Sequence, residues 1–209
     1  MKFSKFFVLI MIAAAFTLSC ASSGGGTSST APAAGGDAAA AGPAFKWDFS
    51  DTSVEAGGWK TAPDEYWDFK GTMAVKIDET TMGKPMLRVD VDYSKDSGSW
   101  WSEPKLKYEF AEPFELKGIK RLSFEMYYNP ANSSKGSFKG KLIFFNNKAT
   151  NAESELDAII AKEQVGDYMK ANVSFRFSSS RPTTHVVLGI VGAVTDYNGP
   201  IFIDNMRLE

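Results

Sequence analysis

From residue 45 onward, apolar and polar side chains alternate in short segments rich in aromatic and β-branched residues. Alternate side chains of a β-strand point to opposite faces, so each segment predicts a strand with one face in a core. The clearest segments are 45–49, 87–92, 106–110, 122–126 and 171–177. Residues 185–191 are more uniformly apolar and predict an interior strand. Prolines and glycines separate these segments as turns or edges.

This pattern predicts an all-β fold of roughly eight to ten antiparallel strands. The fold class that accommodates so many strands in one domain is an antiparallel β-sandwich of the jelly-roll type. One stretch departs from the pattern, because Leu156, Ile159 and Ile160 recur at helical spacing within Ala152–Lys162. We therefore expect a short helix on a loop there.

The N-terminal 20 residues have the composition of a secretory signal peptide. Lys2 and Lys5 precede the apolar run 6–16, which is too short for a stable membrane span. The single cysteine of the chain, Cys20, closes the segment. This arrangement resembles the lipobox of bacterial lipoproteins, which implies that the Cys20 thiol is lipidated and becomes the new N-terminus. The alternative is an ordinary secreted protein with a stray cysteine in its signal peptide.

Residues 21–43 consist almost entirely of Ala, Gly, Ser, Thr and Pro. Such a segment has too little apolar surface to fold, so it predicts a flexible tether with an end-to-end distance of roughly 25 Å. The folded domain is then 44–209. Ala21 stands where some inner-membrane lipoproteins have Asp, so the resemblance implies a lipid anchor in the bacterial cell envelope, at the outer membrane.

Charge and motifs restrict the function classes. With 23 Lys and Arg against 25 Asp and Glu, the chain has no positive field that would collect nucleic acid. The sequence contains a single histidine, His185, so it cannot form a His-rich metal site. His185 lies in an apolar segment that is predicted to be a strand. The sequence has no G-x-S-x-G, H-E-x-x-H or glycine-rich phosphate loop. These observations favour a protein that is not an enzyme.

Three stretches in order carry a resemblance to a known family. They are 47–51 with Gly58-Trp59 a few residues later, 114–124, and the C-terminal 197–208. Together they resemble the galactose-binding-like jelly rolls that serve as carbohydrate-binding modules. The resemblance covers residues 45–209 and is nearest to the mannan-binding and related β-glycan-binding groups. It implies a polysaccharide partner.

Binding a sugar requires a flat aromatic ring for its C–H face and polar side chains around its rim of hydroxyls. If Leu106 points inward, strand alternation places Trp101 and Glu103 on the opposite face and gives Trp100 the parity of the core. A bulge at Pro104 would invert this assignment. We therefore predict Trp101 as the stacking platform and Glu103 as a polar neighbour. The alternative for Trp101 is a ring packed under a loop.

Further sugar contacts are predicted on loops and on outward-facing strand positions. The loop tryptophans are Trp59 and Trp67, although burial of Trp59 is an alternative. The outward-facing polar positions of two later strands are Glu125, Tyr127, Asn172 and Arg176. Their alternative interpretation is a solvated sheet face.

The resemblance also implies one structural Ca²⁺. Asp48, Asp51 and Asp204 supply hard oxygen ligands near the two ends of the domain, which pair as adjacent strands in this fold family. The alternative is that Asp204 binds turn amides and the other two are solvated.

The sequence therefore predicts non-catalytic binding of β-mannan or a related β-glycan by a membrane-tethered lipoprotein. Two other functions stay open: an envelope lipoprotein of the same fold with a structural or protein-docking role, and a small glycan-active enzyme. The enzyme would need two facing carboxylates, for which Glu103 and Glu125 are one candidate pair.

Overall fold

The computed structural model describes residues 44–146, 148–155 and 162–209. These residues form twelve β-strands and four 3-10 helices of one turn each. The strands are β1 Phe45–Lys46, β2 Trp59–Thr61, β3 Thr72–Asp78, β4 Met86–Asp92, β5 Lys105–Glu115, β6 Arg121–Tyr128, β7 Ser137–Asn146, β8 Lys148–Glu155, β9 Lys162–Val165, β10 Tyr168–Arg176, β11 Pro182–Ala193 and β12 Asn198–Leu208. The helices are Glu55–Gly58, Pro63–Glu65, Ser94–Asp96 and Pro130–Asn132.

The predicted signal peptide and tether, residues 1–20 and 21–43, lie outside the described residues. Within the described part of the chain, no helix is both long and apolar enough to cross a membrane.

The strands form two antiparallel sheets. The seven-stranded sheet has the order β3-β4-β12-β6-β10-β9, and β1 also pairs with β12. The five-stranded sheet has the order β2-β5-β11-β7-β8. This arrangement confirms the predicted all-β antiparallel sandwich. Phe45 lies opposite Leu208, so the two ends of the domain are adjacent, as expected.

The core lies between the sheets and is made by the alternation that the sequence shows. In β11 the side chains of Val186, Leu188 and Ile190 are buried against the other sheet, where Met126 and Ile203 are equally inaccessible. Burial of each such side chain stabilises the fold by about 1.5–3 kcal/mol relative to exposure. β11 pairs with β5 on one side and β7 on the other, which confirms the predicted interior strand at 185–191.

The predicted helix at Ala152–Lys162 is wrong over the part that the structure describes. Residues 152–155 belong to β8, which pairs with β7 from Asn146–Lys148 to Lys139–Glu155, and Lys162 begins β9. Residues 156–161 lie outside the described residues. Without β8, the backbone N–H and C=O groups along one edge of β7 would be unpaired. Pairing them stabilises a strand at residues 148–155 more than the spacing of a few apolar residues stabilises a helix.

Candidate functional site

The outer face of the five-stranded sheet carries polar and apolar side chains in adjacent rows. Because Leu106 of β5 points into the core, its neighbours Lys105, Lys107 and Glu109 point outward. The strand register sets His185, Val187 and Gly189 of β11 beside them. The matching outward positions of β7 are Lys141, Ile143 and Phe145.

Three tryptophans form an open cleft at one end of this face. We call it the tryptophan cleft; its volume is about 540 Å³, and it is lined by Trp67, Trp100, Trp101, Glu103 and Lys141. Trp67 is 65% exposed and Trp100 is 73% exposed. The rings of Trp100 and Trp101 have centroids 5.8 Å apart at an interplanar angle of 54°. Large apolar rings left this open to solvent mark a binding surface rather than a packing defect.

The prediction that Trp100 has the parity of the core is wrong. β5 begins only at Lys105, and the preceding residues make isolated bridges, Ser102 with Gly192 and Glu103 with Trp67. Strand alternation therefore does not extend across Pro104, and Trp100 and Trp101 both line the cleft. Pro104 is the sequence signal for this break, because it lacks the N–H that a regular ladder needs.

Backbone contacts fix the loop that carries Trp67 against the segment that carries the other two rings. The Trp67 amide donates to the Glu103 carbonyl at 3.1 Å, and the Glu103 amide donates to the Trp67 carbonyl at 2.8 Å. The buried carboxylate of Asp96 accepts hydrogen bonds from the amides of Lys70 at 2.9 Å and Gly71 at 3.1 Å. The cleft is thus assembled before any ligand arrives.

Glu103 lies in the floor of the cleft, with its side chain only 2% exposed. Its Oε2 accepts a hydrogen bond from Trp101 Nε1 at 2.7 Å. Two ammonium groups flank the carboxylate, Lys105 Nζ at 3.3 Å and Lys141 Nζ at 3.5 Å. The floor therefore holds a carboxylate whose charge is balanced from within the protein.

The same face continues away from the tryptophans as a polar surface. Glu109 pairs with Lys60 at 2.7 Å and Lys107 at 3.1 Å. Hydrogen bonds from Lys60 and then Lys107 lower the pKa of Glu109 to about 2. His185 stacks on Phe145 with ring centroids 4.7 Å apart. Burial and then the charge of Lys107 lower the pKa of His185.

Trp59 does not contribute to this surface, which corrects its prediction as a sugar contact. The residue is 2% exposed, and its ring packs in the core against Trp47 and Tyr108, each at a centroid distance of 5.6 Å. A sugar ring cannot reach it in this structure. Trp67, by contrast, lines the cleft with Trp100 and Trp101, and its contact with sugar stays a prediction.

Four predicted sugar contacts lie on the other sheet. They occupy β6 and β10 of the seven-stranded sheet and point away from the core on the far side of the sandwich: Glu125, Tyr127, Asn172 and Arg176. The predicted set therefore divides between two opposite outer faces and cannot form one groove.

On that far face Glu125 is satisfied by protein groups. It accepts hydrogen bonds from Tyr127 at 3.0 Å and Asn205 at 2.9 Å, and it pairs with Lys170 at 2.9 Å. Burial alone would raise the pKa of Glu125, but the hydrogen bonds outweigh it, led by that of Lys170, and the pKa is lowered. Such a network has little capacity left for a ligand.

The three aspartates predicted as calcium ligands do not converge. Asp48 accepts from the amide of Ser50 at 2.9 Å and from its hydroxyl at 2.7 Å, while Asp51 binds Ser53 in the same way. Asp204 pairs with Lys84. Within residues 44–146, 148–155 and 162–209, no group of three or more His, Cys, Asp or Glu could hold a metal ion. These carboxylates therefore do not fit a shared Ca²⁺ site.

A β-sandwich that presents exposed tryptophans beside a polar rim on one sheet has the features of a non-catalytic glycan-binding module. Residues 48–209 match the family model described as carbohydrate binding module 27, or CBM27, and the chain belongs to this family. The matched region includes every residue of the tryptophan cleft.

Solved structures of several carbohydrate-binding modules have the same fold. One of them is TmCBM27, a carbohydrate-binding module whose structure was studied for specific mannan recognition. It is 20% identical, with a TM-score of 0.60, and the match covers 79% of this chain and 95% of TmCBM27. The CBM27-1 module of Caldicellulosiruptor saccharolyticus, in complex with mannohexaose, is 19% identical, with a TM-score of 0.59 over 79% of this chain and 96% of its own. A CBM28 module specific for non-crystalline cellulose is 18% identical, with a TM-score of 0.54 over 73% and 88%. No curated protein sequence matches the chain significantly.

Proposed function

We propose that this chain binds β-mannan, or a closely related β-glycan, in the tryptophan cleft without cleaving it. The observation that carries the proposal is the exposure of Trp67 and Trp100 beside Trp101 in a CBM27 domain. The preference for mannan over other β-glycans is supported by the two CBM27 structures, which are described with mannan and with mannohexaose.

The cleft offers both interactions that a neutral glycan needs. Indole faces stack against the C–H face of a sugar ring, and the ammonium group of Lys141 can donate hydrogen bonds to its rim. Because mannan carries no charge, these contacts involve no ion pairing with the ligand. We therefore expect the affinity to vary little with ionic strength.

The geometry argues against the glycan-active enzyme. Glu103 lies in the tryptophan cleft, while Glu125 points outward from the opposite sheet. A glycosidase needs its two carboxyl groups about 5–9.5 Å apart across one bond, and these two lie on opposite sides of the core. CBM27 is a non-catalytic module, so the matched domain binds and does not react.

The proposal includes a lipid anchor at Cys20 and a cell-envelope location at the outer membrane. Its support is the order of basic, apolar and small residues that ends in Cys20, followed by Ala21 and the tether 21–43. A tether of this composition would hold the domain away from the membrane and let it capture glycan near the cell.

Affinity electrophoresis tests this proposal. The full-length chain is run through gels containing mannan, glucomannan, xylan, β-glucan or galactan. We expect retardation by the mannan-containing gels, and its loss in Trp101→Ala, which removes the stacking platform at a cost of about 1–3 kcal/mol. Unretarded migration of the folded protein in every gel would contradict the proposal and favour the protein-docking alternative.

EDTA in the same gels tests the calcium prediction. Because Asp48, Asp51 and Asp204 bond to protein groups, we expect the mobility of the protein to be unchanged by the chelator.

A separate assay for reducing sugar tests the enzyme alternative. Release of reducing sugar from mannan by the purified protein would favour that alternative.

A further inference from the structure

Glu103 combines features that a direct sugar ligand would not have. Its side chain is 2% exposed although it lies in the floor of an open cleft. Its backbone is fixed to that of Trp67 by two hydrogen bonds. At this exposure the carboxylate offers almost no surface to a sugar hydroxyl.

Its one good side-chain hydrogen bond is to the ring that would bind the sugar. Oε2 accepts from Trp101 Nε1 at 2.7 Å, whereas Oε1 has no hydrogen-bond partner within the described residues. Lys105 Nζ lies 3.3 Å from Oε1, which balances its charge without the alignment of a hydrogen bond. Leaving a buried carboxylate without a hydrogen-bond donor costs free energy. Rotation of the Trp101 indole away from Glu103 is therefore unfavourable.

A glycine of the neighbouring strand lies next to the Glu103 side chain. Position 189 of β11 is a glycine, and a Cβ there would approach Glu103 Cγ to 3.2 Å and Lys141 Cβ to 3.4 Å. The missing side chain of Gly189 makes room for Glu103 on the sheet. On the other side, Lys139 Nζ lies over the Trp101 ring, 5.7 Å from its centroid.

We propose that Glu103 is a positioning residue: its carboxylate fixes the Trp101 indole in the orientation that meets the glycan, and it does not contact the sugar. This inference rests on the proposed function of the tryptophan cleft. A ring already ordered in the free protein spares the ligand the entropy of ordering it, which corresponds to about a two- to tenfold gain in affinity.

A double-mutant cycle with mannohexaose as the probe tests the positioning role. We expect Glu103→Ala to weaken binding about two- to tenfold by calorimetry. Glu103→Gln should recover most of the loss, because its amide oxygen can still accept the indole N–H. In a Trp101→Ala background, Glu103→Ala should cause no further loss. An equal loss in both backgrounds would overturn the proposal, because it indicates a direct contact between Glu103 and the sugar.

The indole N–H resonance provides a readout that needs no glycan. The Trp101 signal is assigned by its disappearance in Trp101→Ala, and a hydrogen bond to carboxylate shifts it downfield. We expect the signal to move upfield in Glu103→Ala and to stay near its original position in Glu103→Gln. A signal that does not move in Glu103→Ala would overturn the proposal. If the wild-type chain does not bind mannohexaose, the proposed function fails on mannan while this spectrum still decides the positioning role.

Gly189→Ala serves as a second perturbation should Glu103→Ala not fold. It leaves both partners in place and displaces the carboxylate sterically. We expect the same direction of change in the indole resonance and in the affinity. Glu112 is exposed, and Glu112→Gln is the control variant, which should change neither the indole resonance nor the affinity. An unchanged Trp101 indole resonance in folded Gly189→Ala would count against the proposal.

Discussion

Trp59 and Trp67 are the same residue type in opposite environments. Trp59 fills the core beside Trp47, whereas most of the Trp67 ring is in solvent at the rim of the cleft. The first contributes to folding through packing, and the second has almost no packing to lose. Their alanine variants should therefore separate stability from binding.

We expect Trp59→Ala to lower the free energy of unfolding by about 3–5 kcal/mol, because it leaves a large cavity. Trp67→Ala should leave that free energy within about 0.5 kcal/mol of wild type and weaken mannohexaose binding by about 1–3 kcal/mol. Urea unfolding and calorimetry measure the two effects. A Trp67→Ala protein with unchanged affinity would remove Trp67 from the site.

Tyr127 gives the far face a signature at alkaline pH. Burial, and then its hydrogen bond to Glu125, raise the pKa of Tyr127 from 10.0 to about 12. A pKa raised by folding means that the neutral phenol contributes stability that is present below pH 10 and is lost as the pH rises toward 12. Tyr127→Phe lacks this titration, so the stability difference between the two proteins should shrink over that window.

The measurement is urea unfolding at intervals from pH 8 to 12, with Glu125→Gln as the control. Removing the Glu125 charge should lower the Tyr127 pKa in the folded state, so the loss of stability that begins near pH 10 should be smaller in that variant and should end at lower pH. Parallel pH profiles for wild type and Tyr127→Phe would contradict the assignment. Because these residues lie on the sheet opposite the tryptophan cleft, mannohexaose affinity should be the same in all three proteins.

The cleft depends on two loops as much as on its rings. Asp96 follows β4 and bonds the amides that come after Trp67, and Ser99 donates to the Asp68 carboxylate at 2.9 Å. These contacts make the Trp67 loop an extension of the sheet rather than a mobile connection. Rigid aromatic side chains bind with less entropic cost than mobile ones.

We expect Asp96→Ala to release the Trp67 loop. The amides of Lys70 and Gly71 lose their acceptor, so their hydrogen exchange should accelerate, and mannohexaose affinity should fall about two- to tenfold. The matched control is Asp48→Ala, since the hydrogen bonds of the Asp48 carboxylate within the described part of the chain go to Ser50 of its own turn. Unchanged exchange at residues 70 and 71 in Asp96→Ala would show that other contacts hold the loop.

The strands could be predicted from the sequence because side-chain alternation reports burial directly. It marks which side chains of a strand face the core, as Leu106 and Phe124 do. It does not report which sheet a strand joins, since β5 and β6 have the same pattern and lie in different sheets. The predicted site therefore combined Glu103 with Glu125, whose outward faces are on opposite sides of the sandwich.

The errors at Trp100 and at residues 152–155 share a cause. Both predictions rest on a local pattern, whereas pairing between distant strands decides the structure at these positions. Before Pro104 the pairing is made by isolated bridges, and at residues 152–155 it is made by the edge of β7. Register and edge pairing are long-range properties, and a single sequence window does not contain them.

The two outer faces of the sandwich differ in their exposed aromatic rings. The tryptophan cleft lies at the outer face of the five-stranded sheet, whereas paired charges occur on both faces, Lys60–Glu109 on that one and Lys170–Glu125 on the far one. β1 pairs with β12, so the chain enters the domain where it ends.

The Cys20 anchor is a prediction of its own, and it should be separable from binding. Lipidation requires the thiol, so Cys20→Ser, expressed in a bacterial host, should move the protein from the detergent phase to the aqueous phase of a phase-separating detergent and abolish incorporation of labelled fatty acid. Two acyl groups or more give stable membrane attachment where one gives only marginal binding.

Ser19→Ala is the matched control, because it changes the neighbouring residue and keeps the thiol. Mannohexaose affinity should be equal in all three proteins, since Cys20 and Ser19 lie outside residues 48–209, which contain the cleft. A wild-type protein that stays in the aqueous phase would contradict the anchor and leave the glycan-binding domain as a secreted one.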